Sequence, residues 1–153
     1  MIEADVLVEF KSWNKIIQSP QRQISNILKK FPKRYKFIYK KVHLTVLLTN
    51  TNEIKILNKK FRNKDKHTDV LSFPFSQKKK RSKELYLGDI IISFNYMNKP
   101  RNLTNKAFKE KTIRIFIHGF LHLLGYDHIK NTDYKKMFIN EQNIFNSLKK
   151  ILN

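Results

Sequence analysis

The chain has 153 residues, of which 41% are hydrophobic, a size and composition at which a single domain buries a full hydrophobic core. It contains no cysteine, which excludes disulfide bonds and thiolate metal sites, so any bound metal must have nitrogen or oxygen ligands. Lysine and arginine total 32 against 12 acidic residues, and the resulting net charge of +20 favours a polyanionic partner such as nucleic acid.

The charge also has an explanation that involves no partner. Of the 32 basic residues, 26 are lysine, and isoleucine and asparagine are abundant as well. All three have A/T-rich codons, so the base composition of the genome alone would raise the charge. The +20 charge therefore agrees with RNA binding without establishing it.

The predicted elements of the first two thirds of the chain are mostly strands. Alternating or β-branched apolar runs predict strands at 2–10, 43–49, 69–75 and 87–94, the second of them central in the sheet. Helical spacing predicts helices at 21–30 and after the N-cap candidates 50–52, the latter with Ile54, Leu57 and Phe61 on its apolar face. Residues 77–83, QKKKRSK, are predicted to form a solvated loop.

The last third of the chain is predicted to be helical. One helix runs from about residue 105 to a stop at Gly125, and a second covers about 133–152, with Met137, Ile144, Leu148 and Ile151 on one face. We therefore expect an α+β fold in a single domain over residues 1–153, with a small mixed sheet of about four strands packed with four to five helices. No apolar run approaches the roughly 20 residues that span a bilayer, and the first residues are acidic rather than basic, so we expect a cytoplasmic protein.

The candidate chemistry lies in the segment HGFLHLLGYDH. His118 and His122 are four residues apart, which places both imidazoles on one face of a helix, one turn apart. Gly125 allows the helix to stop and the chain to reverse, and the reversal brings His128 toward the same point. Three imidazoles that leave a coordination position open are typical of a catalytic zinc site at the end of a central helix.

The spacing H-x-x-x-H-x-x-G-x-x-H is shared with metzincin proteases. Those enzymes require a glutamate directly after the first histidine as general base, and this chain has Gly119 there. The sequence therefore argues against a protease, because the residue that would act as its general base is missing.

Four blocks of sequence resemble motifs of the YbeY family of bacterial metal-dependent endoribonucleases. HGFLHLLGYDH at 118–128 resembles H-G-x-L-H-L-x-G-Y-D-H, and NKKFR at 58–62 resembles N-x-x-[YF]-R. TDVLSFP at 68–74 and LGDIIIS at 87–93 resemble T-D-V-L-S-F-P and L-G-D-I-x-I-S. The blocks occur in the family's order and cover most of residues 44–130, and Ser76 departs from an acidic residue often found there.

The resemblance implies one zinc ion bound by His118, His122 and His128, and a catalytic role for Arg62. Three imidazoles also suit other divalent metals in vitro, so the ligands alone leave the native metal open. The resemblance also implies single-stranded RNA as the substrate, including the 3′ end of small-subunit ribosomal RNA, and hence the small ribosomal subunit as a partner. The general base is not identified. The competing hypothesis from another class is a ribosome assembly factor without catalysis, in which the metal is structural.

Five further residues near these motifs have open roles. Asp127 is expected either to accept the second N–H of a ligand histidine or to tie the turn. Ser72 is expected to reach the substrate or to bond the backbone, and Asp69 and Asp89 to order loops or form local turns. Tyr126 is expected to pack under the turn, with base stacking as the alternative.

Overall fold

The computed structural model describes residues 1–35, 37, 40–75 and 83–152, so the predicted lysine-rich loop lies outside the described residues except for Lys83. Four strands form one sheet in the order β1-β2-β4-β3. Their bounds are β1 (Ile2–Val8), β2 (Lys41–Thr49), β3 (Val70–Pro74) and β4 (Glu84–Ser93). β2 pairs in parallel with β1 and with β4, whereas β3 pairs antiparallel to β4, which confirms the predicted mixed sheet with a central second strand.

The sequence predicts four to five helices. The described residues contain six α-helices, four at predicted positions and two short ones, and a 3₁₀ helix at Lys33–Tyr35. The helices are α1 (Ser12–Ile16), α2 (Pro20–Lys29), α3 (Thr51–Arg62), α4 (Phe94–Met97), α5 (Asn105–Leu123) and α6 (Asn131–Leu152). The sequence does not predict α1 or α4. Helices of four or five residues make little more than one turn, which is too short to show a repeating apolar face. α4 also begins at Phe94, which we had assigned to the preceding strand.

α5 is the central helix of the fold. It packs against β3 and β4 on one side and against α6 on the other. Its close approach to the sheet occurs at Gly119, where a Cβ atom would lie 2.8 Å from Cγ2 of Ile90 and 3.1 Å from Oγ of Ser72. The absence of a side chain at 119 therefore lets the histidine-bearing end of α5 lie directly on the sheet.

Two residues that helical spacing assigned to buried faces are exposed. Phe61, in the last turn of α3, is 59% exposed although Ile54 on the same helix is fully buried. Ile151, in the last turn of α6, is 43% exposed. Both lie in the last turn of a helix. There the apolar face of the helix extends beyond the neighbouring elements that bury the rest of it. In the part of the chain that the structure describes, no helix has the length and apolarity to cross a membrane.

Candidate metal centre

Three imidazoles converge where α5 ends. His118 and His122 lie in the last two turns of α5, and Gly125, at φ +94°, reverses the chain so that His128 returns to them. The ring centroids of His118 and His122 are 4.7 Å apart, and that of His128 lies 5.4 and 5.2 Å from them. One ligand nitrogen from each histidine lies within 4.8 Å of the others. The folded chain thus brings together the three residues that the sequence predicted as ligands.

Hydrogen bonds on the outer ring nitrogens fix how two of these imidazoles are oriented. Nδ1 of His122 lies 2.9 Å from the carbonyl oxygen of Tyr126, and Nδ1 of His118 lies 2.6 Å from Oε1 of Glu141. A carbonyl oxygen and a carboxylate accept hydrogen bonds, so both Nδ1 atoms carry the proton and donate it. A ring that carries a single proton on Nδ1 has its lone pair on Nε2, the form in which an imidazole binds a metal.

These two Nε2 atoms face each other at 3.1 Å. This spacing suits a shared proton or a shared cation between the two nitrogens. Tetrahedral zinc with Zn–N bonds of about 2.0–2.1 Å separates its ligand nitrogens by roughly 3.3 Å, close to the observed spacing. The donor set and its outer hydrogen bonds therefore fit a divalent metal held by nitrogen.

Burial lowers the pKa of His122, and the neighbouring His118 and His128 lower it further. The hydrogen bond to the Tyr126 carbonyl acts in the opposite direction, since it favours the protonated ring. The lowered pKa keeps His122 in the neutral form that a metal requires.

The histidines form one wall of an open cleft of about 1080 Å³. Arg62, at the end of α3, lines the same cleft and is exposed. Among the residues that the structure describes, its guanidinium has no hydrogen-bond or ion-pair partner. The predicted catalytic arginine is therefore in the same cleft as the histidines, with its donors available to a ligand.

The end of α3 is held in place by Asn58. This residue is 2% exposed, and its Nδ2 donates to the carbonyl oxygen of Lys66 at 2.8 Å. Asn63 ends the helix in the left-handed conformation, at φ 56°. Together these features turn the chain back beneath α3 and hold Phe61 and Arg62 at the rim of the cleft, which explains the spacing of the N-x-x-F-R block.

The place of the metzincin base is blocked by the sheet. A side chain at 119 would meet Ile90, a fully buried branched residue, within 2.8 Å. A glutamate there does not fit without moving α5 away from the sheet. The structure thus gives a packing reason for Gly119 in place of the protease glutamate.

The five further candidates have local structural contacts. Oδ1 of Asp127 accepts from the backbone N–H of His128 at 2.7 Å, so this residue ties the turn, and Ser72 Oγ donates to the Gly119 carbonyl at 3.1 Å. Asp69 lines the cleft, but its carboxylate accepts from Val70 N–H and from Thr68 Oγ1. Asp89 accepts from the Tyr86 hydroxyl and is not among the cleft residues, whereas Tyr126 packs against the core and lines the cleft.

Sequence reasoning missed Glu141, the partner of His118. The signal was present in the last helix, where Met137, Ile144, Phe145 and Leu148 are buried. Glu141 is four residues after Met137 and four before Phe145, so it is a carboxylate on the buried face of α6. An acidic residue in such a position needs an interior partner, and the histidines supply one.

The mixed sheet, the convergent histidines and the arginine in the same cleft define a class of protein suited to metal-assisted hydrolysis of an anionic substrate. The sequence profile of the family Endoribonuclease YbeY matches residues 7–149. An Endoribonuclease YbeY from Pelagibacter ubique is 55% identical over 149 residues, covering 97% of each chain, and one from Persephonella marina is 39% identical over 71% of each. The solution structure of a Thermotoga maritima protein superposes with a TM-score of 0.55 at 27% identity, covering 97% of this chain and 89% of that one.

The chain belongs to the Endoribonuclease YbeY family. This membership confirms the resemblance that the four sequence blocks indicated, and with it the endoribonuclease class.

Proposed function

We propose that residues 1–153 act as one catalytic domain that cleaves single-stranded RNA with the help of one zinc ion on His118, His122 and His128. The observation that carries this proposal is the pair of Nε2 atoms 3.1 Å apart in a cleft that Arg62 also lines, with no partner for Arg62 among the described residues. The outer hydrogen bonds of His118 and His122 leave these atoms as donors to a cation, and the cleft gives a substrate access to them.

Each residue has a distinct role in this proposal. When bound, the metal supplies Lewis acidity at the open end of the cleft. Arg62 presents a planar fork of donors to a phosphate oxygen and stabilises the negative charge that gathers there during cleavage. Glu141 and the Tyr126 carbonyl hold His118 and His122 in the orientation that keeps Nε2 free.

We infer that the RNA is ribosomal, including the 3′ end of the small-subunit RNA, and that the small ribosomal subunit is the partner that presents it. The family name of the relatives supports RNA as the substrate, and the +20 charge supports a large polyanionic partner. The cytoplasm is the compartment that this role requires.

The test is cleavage of single-stranded RNA by protein of measured zinc content. We expect wild type to cleave, His118→Ala to lose both zinc and cleavage, and Arg62→Ala to lose cleavage while it keeps zinc. His43→Ala and Arg101→Ala are the matched controls, because these residues are not among those that line the cleft, and both should behave as wild type.

Two outcomes would contradict the proposal. Cleavage that persists in both cleft variants would belong to a contaminating nuclease. RNA binding by wild type without any cleavage, in protein that holds zinc, would favour the non-catalytic assembly factor instead.

A further inference from the structure

Phe61 is exposed where its helix would be expected to bury it. It is 59% exposed and lines the same cleft as Arg62 and the histidines. Its ring meets the ring of Phe73 edge to face, with centroids 5.5 Å apart at 62°. Phe73 in turn packs against the small core cluster of Ile54, Leu71 and Ile91. Within the described ranges, the ring of Phe61 therefore has one aromatic neighbour, Phe73, and most of the residue is exposed.

Several cations are near this exposed ring. Arg62, Lys64 and Lys66 line the same cleft, and the ammonium of Lys60 lies over the ring, 5.2 Å from its centroid. In the described part of the chain, the side chains of Arg62, Lys64 and Lys66 have no ion-pair partner. Successive residues of a helix point about 100° apart, so Phe61 and Arg62 point in different directions within one cleft. Phe61 offers an aromatic ring, and Arg62 offers a fork of N–H donors that suits a phosphate.

We propose that Phe61 is a stacking site for one nucleobase of the RNA strand, a subsite that rests on the proposed function in the same cleft. A nucleotide in a single strand combines a flat π face with an anionic phosphate, and the cleft offers a partner to each. Stacking on an aromatic side chain is tolerant of sequence because every base has a π face. The site therefore selects unpaired bases, since a base in a duplex has both faces covered by its neighbours.

The test measures the affinity of a short fluorescein-labelled single-stranded RNA by anisotropy. All proteins carry Arg62→Ala, because protein with Arg62 is expected to cleave this RNA, and wild type below means wild type at position 61. We expect Phe61→Ala to weaken binding by roughly 5- to 100-fold, the size of one stacked base. Phe61→Leu keeps an apolar contact with Phe73 but lacks a π face, and we expect a similar loss. Phe61→Trp should bind at least as well as wild type.

Phe138→Ala is the matched control. Phe138 is 49% exposed on α6 and is not among the cleft residues, so its loss should leave the affinity unchanged. Circular dichroism and zinc content should match wild type in every variant, because none of these side chains touches the histidines.

A series of RNAs with one abasic site at successive positions identifies the stacked base. At one position, removing the base should weaken binding to wild type. Removing the same base should not change the affinity of Phe61→Ala, because that variant has already lost the stacking contact. Two results would overturn the stacking site. One is equal affinity of wild type and Phe61→Leu. The other is that the affinity losses from Phe61→Ala and from removal of a base add at every abasic position. Failure of wild type itself to bind RNA would instead overturn the proposed function.

Discussion

Nδ1 of His118 lies 2.6 Å from Oε1 of Glu141, so a carboxylate on the last helix orients the first histidine of the cluster. Both side chains are 26% exposed, and a hydrogen bond to a charged acceptor at that burial is stronger than one in open water. The contact joins α5 to α6 and makes the last helix part of the metal site.

Replacing this carboxylate should weaken metal binding. We expect Glu141→Gln to lower zinc affinity by roughly 10- to 100-fold. The amide oxygen can still accept the hydrogen bond from His118, but the negative charge that makes the His118 imidazole more basic is gone. Glu141→Ala should lose more. Competition with a chromophoric chelator measures the affinity.

Glu110→Gln provides the matched control for Glu141→Gln. Glu110 lies on α5, two turns before His118, and lines a different groove. Its substitution should leave zinc affinity as in wild type. Unchanged affinity in Glu141→Gln would mean that the contact does not contribute to the site.

Gly119→Ala should destabilise the protein although alanine favours helices by about 1 kcal/mol. The new Cβ would lie 2.8 Å from Cγ2 of Ile90, and overpacking in a rigid core costs about 1–3 kcal/mol. We expect a net loss of up to about 2 kcal/mol in the free energy of unfolding, measured with urea. The double variant Gly119→Ala/Ile90→Ala should lose less than the sum of the single losses, and strict additivity would show that Ile90 is not the obstacle.

The sequence alone predicts the sheet, the long helices and the three histidines because each depends on local spacing. Period-two apolar runs predict the strands, and the i, i+4 pair followed by a glycine predicts the shared face of His118 and His122 and the return of His128. The contact between His118 and Glu141 is different, since it joins residues 23 positions apart through the packing of two helices. Local spacing contains no information about that packing.

Phe61 shows the limit of the same reasoning. Its spacing from Ile54 and Leu57 predicts a buried position, and the prediction is wrong because α3 ends one residue later, at Arg62. A helical pattern identifies which residues share a face, but the neighbouring strands decide how far along the helix that face is covered.

Asn58→Asp should destabilise the rim of the cleft. The two side chains have the same shape, but a carboxylate cannot donate to the Lys66 carbonyl, so a 2.8 Å hydrogen bond becomes a repulsive contact between two acceptors. With the side chain 2% exposed, we expect a loss of about 1–3 kcal/mol in the free energy of unfolding. RNA cleavage should fall while zinc content stays constant, because none of the three histidines lies on α3.

Asn52→Asp is the control for this substitution. Asn52 is exposed in the first turn of α3, where the helix dipole favours a negative charge. The Asn52→Asp protein should therefore be as stable as wild type or slightly more stable. Equal stability of the Asn58→Asp and wild-type proteins would contradict the role of Asn58 in holding the loop.

The salt dependence of RNA binding distinguishes lysines that contact RNA from lysines that follow from codon bias. On a single strand, each cation that neutralises a phosphate adds about 0.7 to the slope of log affinity against log salt concentration. Lys64 and Lys66 line the cleft, so Lys64→Ala and Lys66→Ala should each lower the slope by roughly that amount. Lys149, exposed in the last turn of α6 and absent from the cleft lining, should leave the slope unchanged when replaced by alanine. Equal effects at all three positions would mean that binding follows total charge, and that the cleft does not direct the RNA.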